Sequence, residues 1–131
     1  MDIHISQGDG VPIYLQIVNQ VKYLVASGRL AVGDELPTIR ALAERLVINP
    51  NTVARAYREL ESAGIVAARR SAGTVVTDTG SPLARRECVG ILTERVDALL
   101  AEARQMNFGT EDVLDLIRKR DRAIRPRAEE K

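Results

Sequence analysis

Only two residues, Val47 and Ile48, separate an amphipathic segment ending at Leu46 from the pair Asn49-Pro50. Asn followed by Pro marks a helix start, because the Asn side chain accepts from the free N–H groups of the first turn and proline gives up an N–H that has no partner there. One helix therefore follows another almost at once. In the first, Thr38 is placed as the cap, Pro37 keeps the residue before it extended, and Ile39, Leu42, Ala43 and Leu46 recur at i, i+3, i+4 and i+7. In the second, Val53, Ala56, Tyr57 and Leu60 form the apolar face and Gly64 ends the run.

The flanks complete the plan. Upstream, Ile13, Ile17, Val21 and Leu24 recur at helical spacing between Pro12 and Gly28. Downstream the period changes: I-V-A-A-R, R-S-A-G and T-V-V-T, from Ile65 to Thr77, read as two short strands around a Gly-containing turn. Three helices followed by a hairpin is the winged helix-turn-helix plan, with the third helix as reader and the hairpin as wing. Aromatic residues are 3% of the 131, with no Trp, so the core is built from Leu, Val, Ile and Ala, a composition suited to packed helices.

Turn formers cluster in T-D-T-G-S-P, at 77–82. Beyond them Val89, Leu92, Val96, Leu99, Ala103 and Met106 follow one another at steps of 3, 4, 3, 4 and 3, the seam of a helix that pairs with another helix. Such a helix, from Pro82 to about Asn107, runs about 37 Å, too long to bury its seam within so small a domain. Thr110 is placed to cap a last helix with Val113, Leu114 and Ile117 on its apolar side. The expected fold is mainly α with a small β-hairpin: an N-terminal arm (1–11), a winged helix-turn-helix (12–77), a linker (78–82), a helical dimerisation region (83–124) and a charged tail (125–131). Val89, Leu92, Val96, Leu99, Ala103, Met106, Val113 and Ile117 are the expected dimer interface.

Catalysis finds little support. The single histidine, His4, lies in the arm and reads as a surface residue, and the single Cys88 rules out an internal disulfide and a Cys-rich metal site. Neither an enzyme, a metal nor a cofactor is expected. No apolar run approaches the ~20 residues that a bilayer requires, and the N-terminus has no leader-like pattern, so the expected address is the cytoplasm.

The net charge is only +1, yet residues 38–77 hold six Arg and no Lys against three Glu. On the third helix Asn51, Arg55, Arg58 and Ser62 follow steps of 4, 3 and 4, away from Val53, Tyr57 and Leu60. Arg grips guanine O6 and N7, and Asn pairs with adenine N6 and N7, so this face suits base-edge reading; the alternative is a merely solvated surface. Arg40 stands at the start of the second helix, where a phosphate would meet free N–H groups, or else pairs with Glu44. Arg69 and Arg70 precede a small tip, Ser71, Ala72 and Gly73, suited to a minor groove or to phosphate.

From Gly33 to Gly64 the chain reads G-D-E-L-P-T-I-R-A-L-A-E-R-L-V-I-N-P-N-T-V-A-R-A-Y-R-E-L-E-S-A-G, preceded by V-P-I-Y-L-Q-I. This resembles the signature of the GntR family of bacterial transcription regulators, and a winged unit followed by just two helices is similar to its YtrA-like subgroup. The resemblance implies DNA contact at Thr38, Arg40, Asn49, Asn51, Thr52, Arg55 and the wing from Arg70 through Ser71 and Gly73 to Thr74. Family wings often carry Gly where Ser71 stands and an aromatic where Val75 stands. It also implies a homodimeric repressor, commonly of transporter operons, released by a small effector. The partners expected are thus double-stranded operator DNA carrying an inverted repeat, a second copy of the chain and a small molecule, with no membrane. The competing classes are a winged-helix protein-interaction module without specific DNA binding and a redox sensor acting through Cys88.

Overall fold

The computed structural model describes residues 1–125, so of the expected tail at 125–131 all but Arg125 lies outside the described residues. The elements run α1 (Ile13–Ala26), α2 (Ile39–Leu46), α3 (Pro50–Ser62), β1 (Val66–Arg69), β2 (Gly73–Val76), α4 (Gly80–Gln105) and α5 (Thr110–Ile124). They form two compact units, residues 1–90 and residues from 91 onward.

In the first unit, Ile17, Val21 and Val25 of α1, Leu42 of α2, Val53 and Leu60 of α3, and Ile65 at the entry to β1 are fully buried. All four residues expected on the inner face of α3 are buried. Ile39 is not: it sits at the first position of α2 and is 38% exposed, so Leu42 and Ala43 carry that helix's packing. Pro12 is the N-cap of α1, its carbonyl accepting from the Leu15 and Gln16 N–H groups at 3.1 Å each.

The hairpin pairs Val66 with Val76, Ala67 with Val75, Ala68 with Thr74 and Arg69 with Gly73. Residues 33–36, which read as plain loop, add to it: Glu35 bridges Val75, and the Leu36 N–H donates to the Thr74 carbonyl at 2.8 Å. The wing is thereby tied directly to the segment that leads into α2.

The arm is docked, because Gln16, a buried polar side chain, accepts from the Ser6 N–H (2.8 Å) and donates to the Ser6 and Val11 carbonyls (2.7 and 2.9 Å), and two further expectations are corrected. Gln20 likewise accepts from the His4 N–H and donates to its carbonyl, and Ile3 is buried in the core. The boundary does not fall at 78–82. The helix α4 has begun by Gly80, with Ala84 fully buried, and just before it the Thr77 hydroxyl donates to the Gly64 carbonyl at 2.7 Å; the division follows Gly90. Finally, Gly109 and not Thr110 caps α5, its N–H donating to the Asp112 carboxylate at 2.9 Å.

Two substitutions test this packing. A Cβ at Gly80 would stand 2.6 Å from the Ile65 carbonyl oxygen, backbone that cannot swing away. Gly80→Ala is therefore expected to destabilise by about 1–3 kcal/mol despite its gain in helix propensity, lowering the denaturation midpoint; an unchanged midpoint would contradict the close approach. Val47 adopts φ 55° at the end of α2, a left-handed conformation that costs a β-branched residue strain, and is 87% exposed, so little packing offsets the cost. Val47→Asn is expected to raise stability by about 1 kcal/mol in urea denaturation, and a loss of stability would refute the strain.

Candidate nucleic-acid interface

The turn between α2 and α3 spends its polar groups on itself. The Ile48 N–H returns to the Ala43 carbonyl at 3.0 Å, and the Asn49 side chain accepts from the Asn51 N–H at 2.8 Å. Thr38 does the same for α2, accepting from the Ala41 N–H at 3.1 Å. Asn49 and Thr38 are thus caps first, although both remain exposed, with the Asn49 amide nitrogen still able to donate.

With the caps fixed, α3 turns Asn51, Arg55 and Arg58 outward while Val53, Ala56, Tyr57 and Leu60 face the core. Asn49, Asn51, Thr52, Arg55 and Arg58 line one open cleft of about 480 Å³ together with Ile13 and Tyr14 of α1. Thr38, Arg40, Gly73 and Thr74 meet at a second, of about 360 Å³, where the entry to α2 faces the wing. Arg69, Arg70 and Ser71 line neither cleft and stand exposed at the hairpin turn, which the Ala72 N–H closes onto the Arg69 carbonyl at 3.3 Å.

The charges on this side are available. Among the described residues Arg40, Arg55, Arg58, Arg69 and Arg70 join no ion pair, including the Arg40–Glu44 pair that the spacing allowed. Arginines that neutralise nothing within the fold are free to neutralise phosphate.

Three residues to which sequence reasoning gave no part in the site shape it. The Tyr57 hydroxyl donates to the Pro37 carbonyl at 2.7 Å, and burial pushes its pKa well up, against a smaller opposing effect of the Arg45 guanidinium, so it remains a neutral donor. This bond ties α3 to the residue before the α2 cap. Glu35 brings a carboxylate to the wing, where a Cβ on Gly73 would lie 3.0 Å from it, and Gly73 itself takes φ 72°. Tyr14 lies under Arg55, whose guanidinium carbon is 3.7 Å from the ring centroid. No periodic pattern marks such partners, since each is a single contact between distant segments.

Other candidate chemistry recedes. His4 is exposed and contacts Asp2 at 3.3 Å. Burial pushes the Cys88 thiol up; Lys22 and Arg85 oppose this and Glu87 adds to it. That direction is opposite to the activation of a reactive thiolate. Among the described residues no helix is long and apolar enough to cross a membrane.

The expected dimer residues divide into two groups. Ala103 and Val113 are buried within the second unit itself, so the interior of the chain already uses them. Val89, Leu92, Val96, Leu99, Met106 and Ile117 are each between 42% and 59% exposed. Of these, Leu92, Val96 and Leu99 form a single stripe on α4, with Met106 just past its end, and the second unit also holds an open apolar cavity of about 470 Å³ lined by Leu99, Met106, Phe108 and Leu116 among others.

Comparisons with known proteins agree with this architecture. The family described as "Bacterial regulatory proteins, gntR family" matches residues 13–76, from the start of α1 to the end of the wing. The HTH-type transcriptional repressor YtrA of Bacillus subtilis (strain 168) is 36% identical over 101 residues, covering 77% of this chain and 78% of that protein. The uncharacterized HTH-type transcriptional regulator YhcF of the same organism is 34% identical over 108 residues, covering 82% of this chain and 88% of that one. Among solved structures, a transcriptional regulator from Oenococcus oeni superposes with TM-score 0.72 at 29% identity, covering 91% of this chain and 97% of that chain. YtrA from Sulfolobus acidocaldarius, a GntR-family transcription factor, superposes with TM-score 0.57 at 34% identity, covering 73% of this chain and 97% of that chain. Such proteins act by binding and not by catalysis, and the chain belongs to the gntR family of bacterial regulatory proteins, as a YtrA-like DNA-binding transcription regulator built on a winged helix-turn-helix.

Proposed function

We propose that the protein is a homodimeric repressor that binds an inverted-repeat operator through α3, Arg40 and the wing. The observation that carries the reading is the outward face of α3, where Asn51, Arg55 and Arg58 stand exposed and outside any ion pair among the described residues. Base edges in a major groove offer the acceptors that such donors need. The wing arginines, Arg69 and Arg70, take phosphate or the adjacent minor groove. Thr38, Arg40, Asn49, Thr52, Ser71, Gly73 and Thr74 complete the surface, the two caps doing so through the groups that their helix ends leave unused.

Dimerisation is proposed through the exposed stripe of α4, with Leu92, Val96 and Leu99 at its centre. Apolar side chains at this spacing gain by covering one another, and two-fold pairing presents two readers to sites about one helical turn, ~34 Å, apart. Repression accords with the YtrA relative named as a repressor, while control of a transporter operon and release by a small effector rest on family resemblance alone.

Replacing Leu92 and Leu99 together by Glu is expected to give monomers in analytical ultracentrifugation and to abolish tight operator binding. An intact dimer would contradict the seam. In salt-dependent gel shifts with DNA from upstream of its own gene, Arg55→Ala is expected to relax preference at a single base step by ~1–3 kcal/mol. Arg70→Ala should instead weaken all sequences alike and lower the salt slope by about one. Equal binding to every duplex by the unaltered protein, or none at moderate salt, would overturn the reading in favour of a protein-interaction module.

A further inference from the structure

The Tyr14–Arg55 contact joins two elements that have different tasks. Tyr14 belongs to the first turn of α1, a helix held by the fully buried Ile17, Val21 and Val25, and its ring is half-buried. Arg55 belongs to the exposed face of α3. At 3.7 Å from the centroid, the guanidinium carbon lies well inside the range of a cation over an aromatic face. Glu59, one turn further along α3, offers Arg55 an ion pair, and none is formed among the described residues. The arginine is placed by the ring and not by the carboxylate.

The two arrangements differ in what they leave for DNA. An ion pair with Glu59 would consume the N–H fork and cancel the charge. Contact through the guanidinium face leaves the in-plane N–H groups at the rim, where they can form the bidentate bond to guanine O6 and N7. It also narrows the rotamers of a long side chain before binding, which lowers the ordering cost that recognition otherwise bears. The Tyr14 hydroxyl takes part in no hydrogen bond among the described residues, so the contact with Arg55 is made by the ring.

We propose that Tyr14 is a positioning residue for base recognition: it holds the Arg55 guanidinium ready for the major groove, so that part of the sequence preference is set from α1, outside the helix-turn-helix. This rests on α3 being the reader. The Pro12-Ile13-Tyr14 entry to α1 thus has a second task besides starting a helix.

The test uses the full chain and a duplex selected from a random pool for tight binding, with each base varied in turn. Tyr14→Leu, with Tyr14→Met as a second variant should the first fail to fold, is expected to lower the ratio of selected to scrambled duplex affinity about three- to tenfold. The loss should be confined to the base position that Arg55→Ala relaxes, and the salt slope should stay unchanged because no charge is removed. Tyr14→Phe should bind as the unaltered protein does. In the Arg55→Ala background, Tyr14→Leu should cause no further loss. In the free protein, the Arg55 Hε resonance should carry a ring-current shift that Tyr14→Phe keeps and Tyr14→Leu removes. If Arg55→Ala relaxes a base position and the Tyr14 variants do not, or weaken every duplex equally, the positioning role is wrong while the reader stands. If Arg55→Ala itself leaves preference intact, the reader assignment fails and the positioning role falls with it.

Discussion

The proposed reading face exists because α2 ends and α3 begins within four residues, with the Val47, Ile48, Asn51 and Thr52 N–H groups all handed partners. The Ala43 carbonyl takes the Ile48 N–H and the Asn49 side chain takes the Asn51 N–H, so no longer loop is needed to satisfy either helix end. The cost is a left-handed Val47. The Tyr57 phenol then fixes α3 to Pro37, just before the α2 cap, making the pair a single rigid piece. Strand-like pairing of Glu35 and Leu36 with β2 carries the same rigidity to the wing. Helix α3, Arg40 and the hairpin therefore share one frame, as the proposed reading of grooves and phosphates together requires.

Local signals in the sequence made this frame legible. Caps, prolines and period-3.6 stripes act over a few residues, so α3 and its four buried side chains followed from Asn49-Pro50 and the spacing of Val53, Ala56, Tyr57 and Leu60. The hairpin followed from its β-branched runs around Gly73. What escaped depends on single contacts between distant segments. Gln16 looks like one more polar residue on an amphipathic helix, yet it docks the arm. The turn-forming residues near Gly80 gave no warning that helix α4 would begin against the wing, because the close approach to the Ile65 carbonyl is a property of two elements together. Tyr14 falls beside the main stripe of α1, and only its position beneath Arg55 gives it a task. At α5, a backbone N–H to Asp112 makes Gly109 the cap, where side-chain preference favoured Thr110.

A net charge of +1 offers little long-range attraction for DNA, so the local arginines have to supply it. Their freedom from ion pairs among the described residues matters more than their number. The second unit contributes differently: Ala103 and Val113 hold it together from within, and the stripe of Leu92, Val96 and Leu99 remains on its outside. The steps of 3 and 4 that mark a seam in sequence do not reveal which of its members turn inward, which is why Ala103 and its neighbours read alike. Division of labour between a charged face and an apolar stripe fits the proposed reading, in which α3 recognises a sequence and the stripe pairs two copies to gain a second half-site.

The most direct measurement is guanine methylation interference on DNA from upstream of its own gene. If α3 reads base edges from a two-fold dimer, interfering guanine N7 positions should form two symmetric clusters centred about ten base pairs apart. A single cluster, or no interference at any guanine while binding persists, would contradict the account.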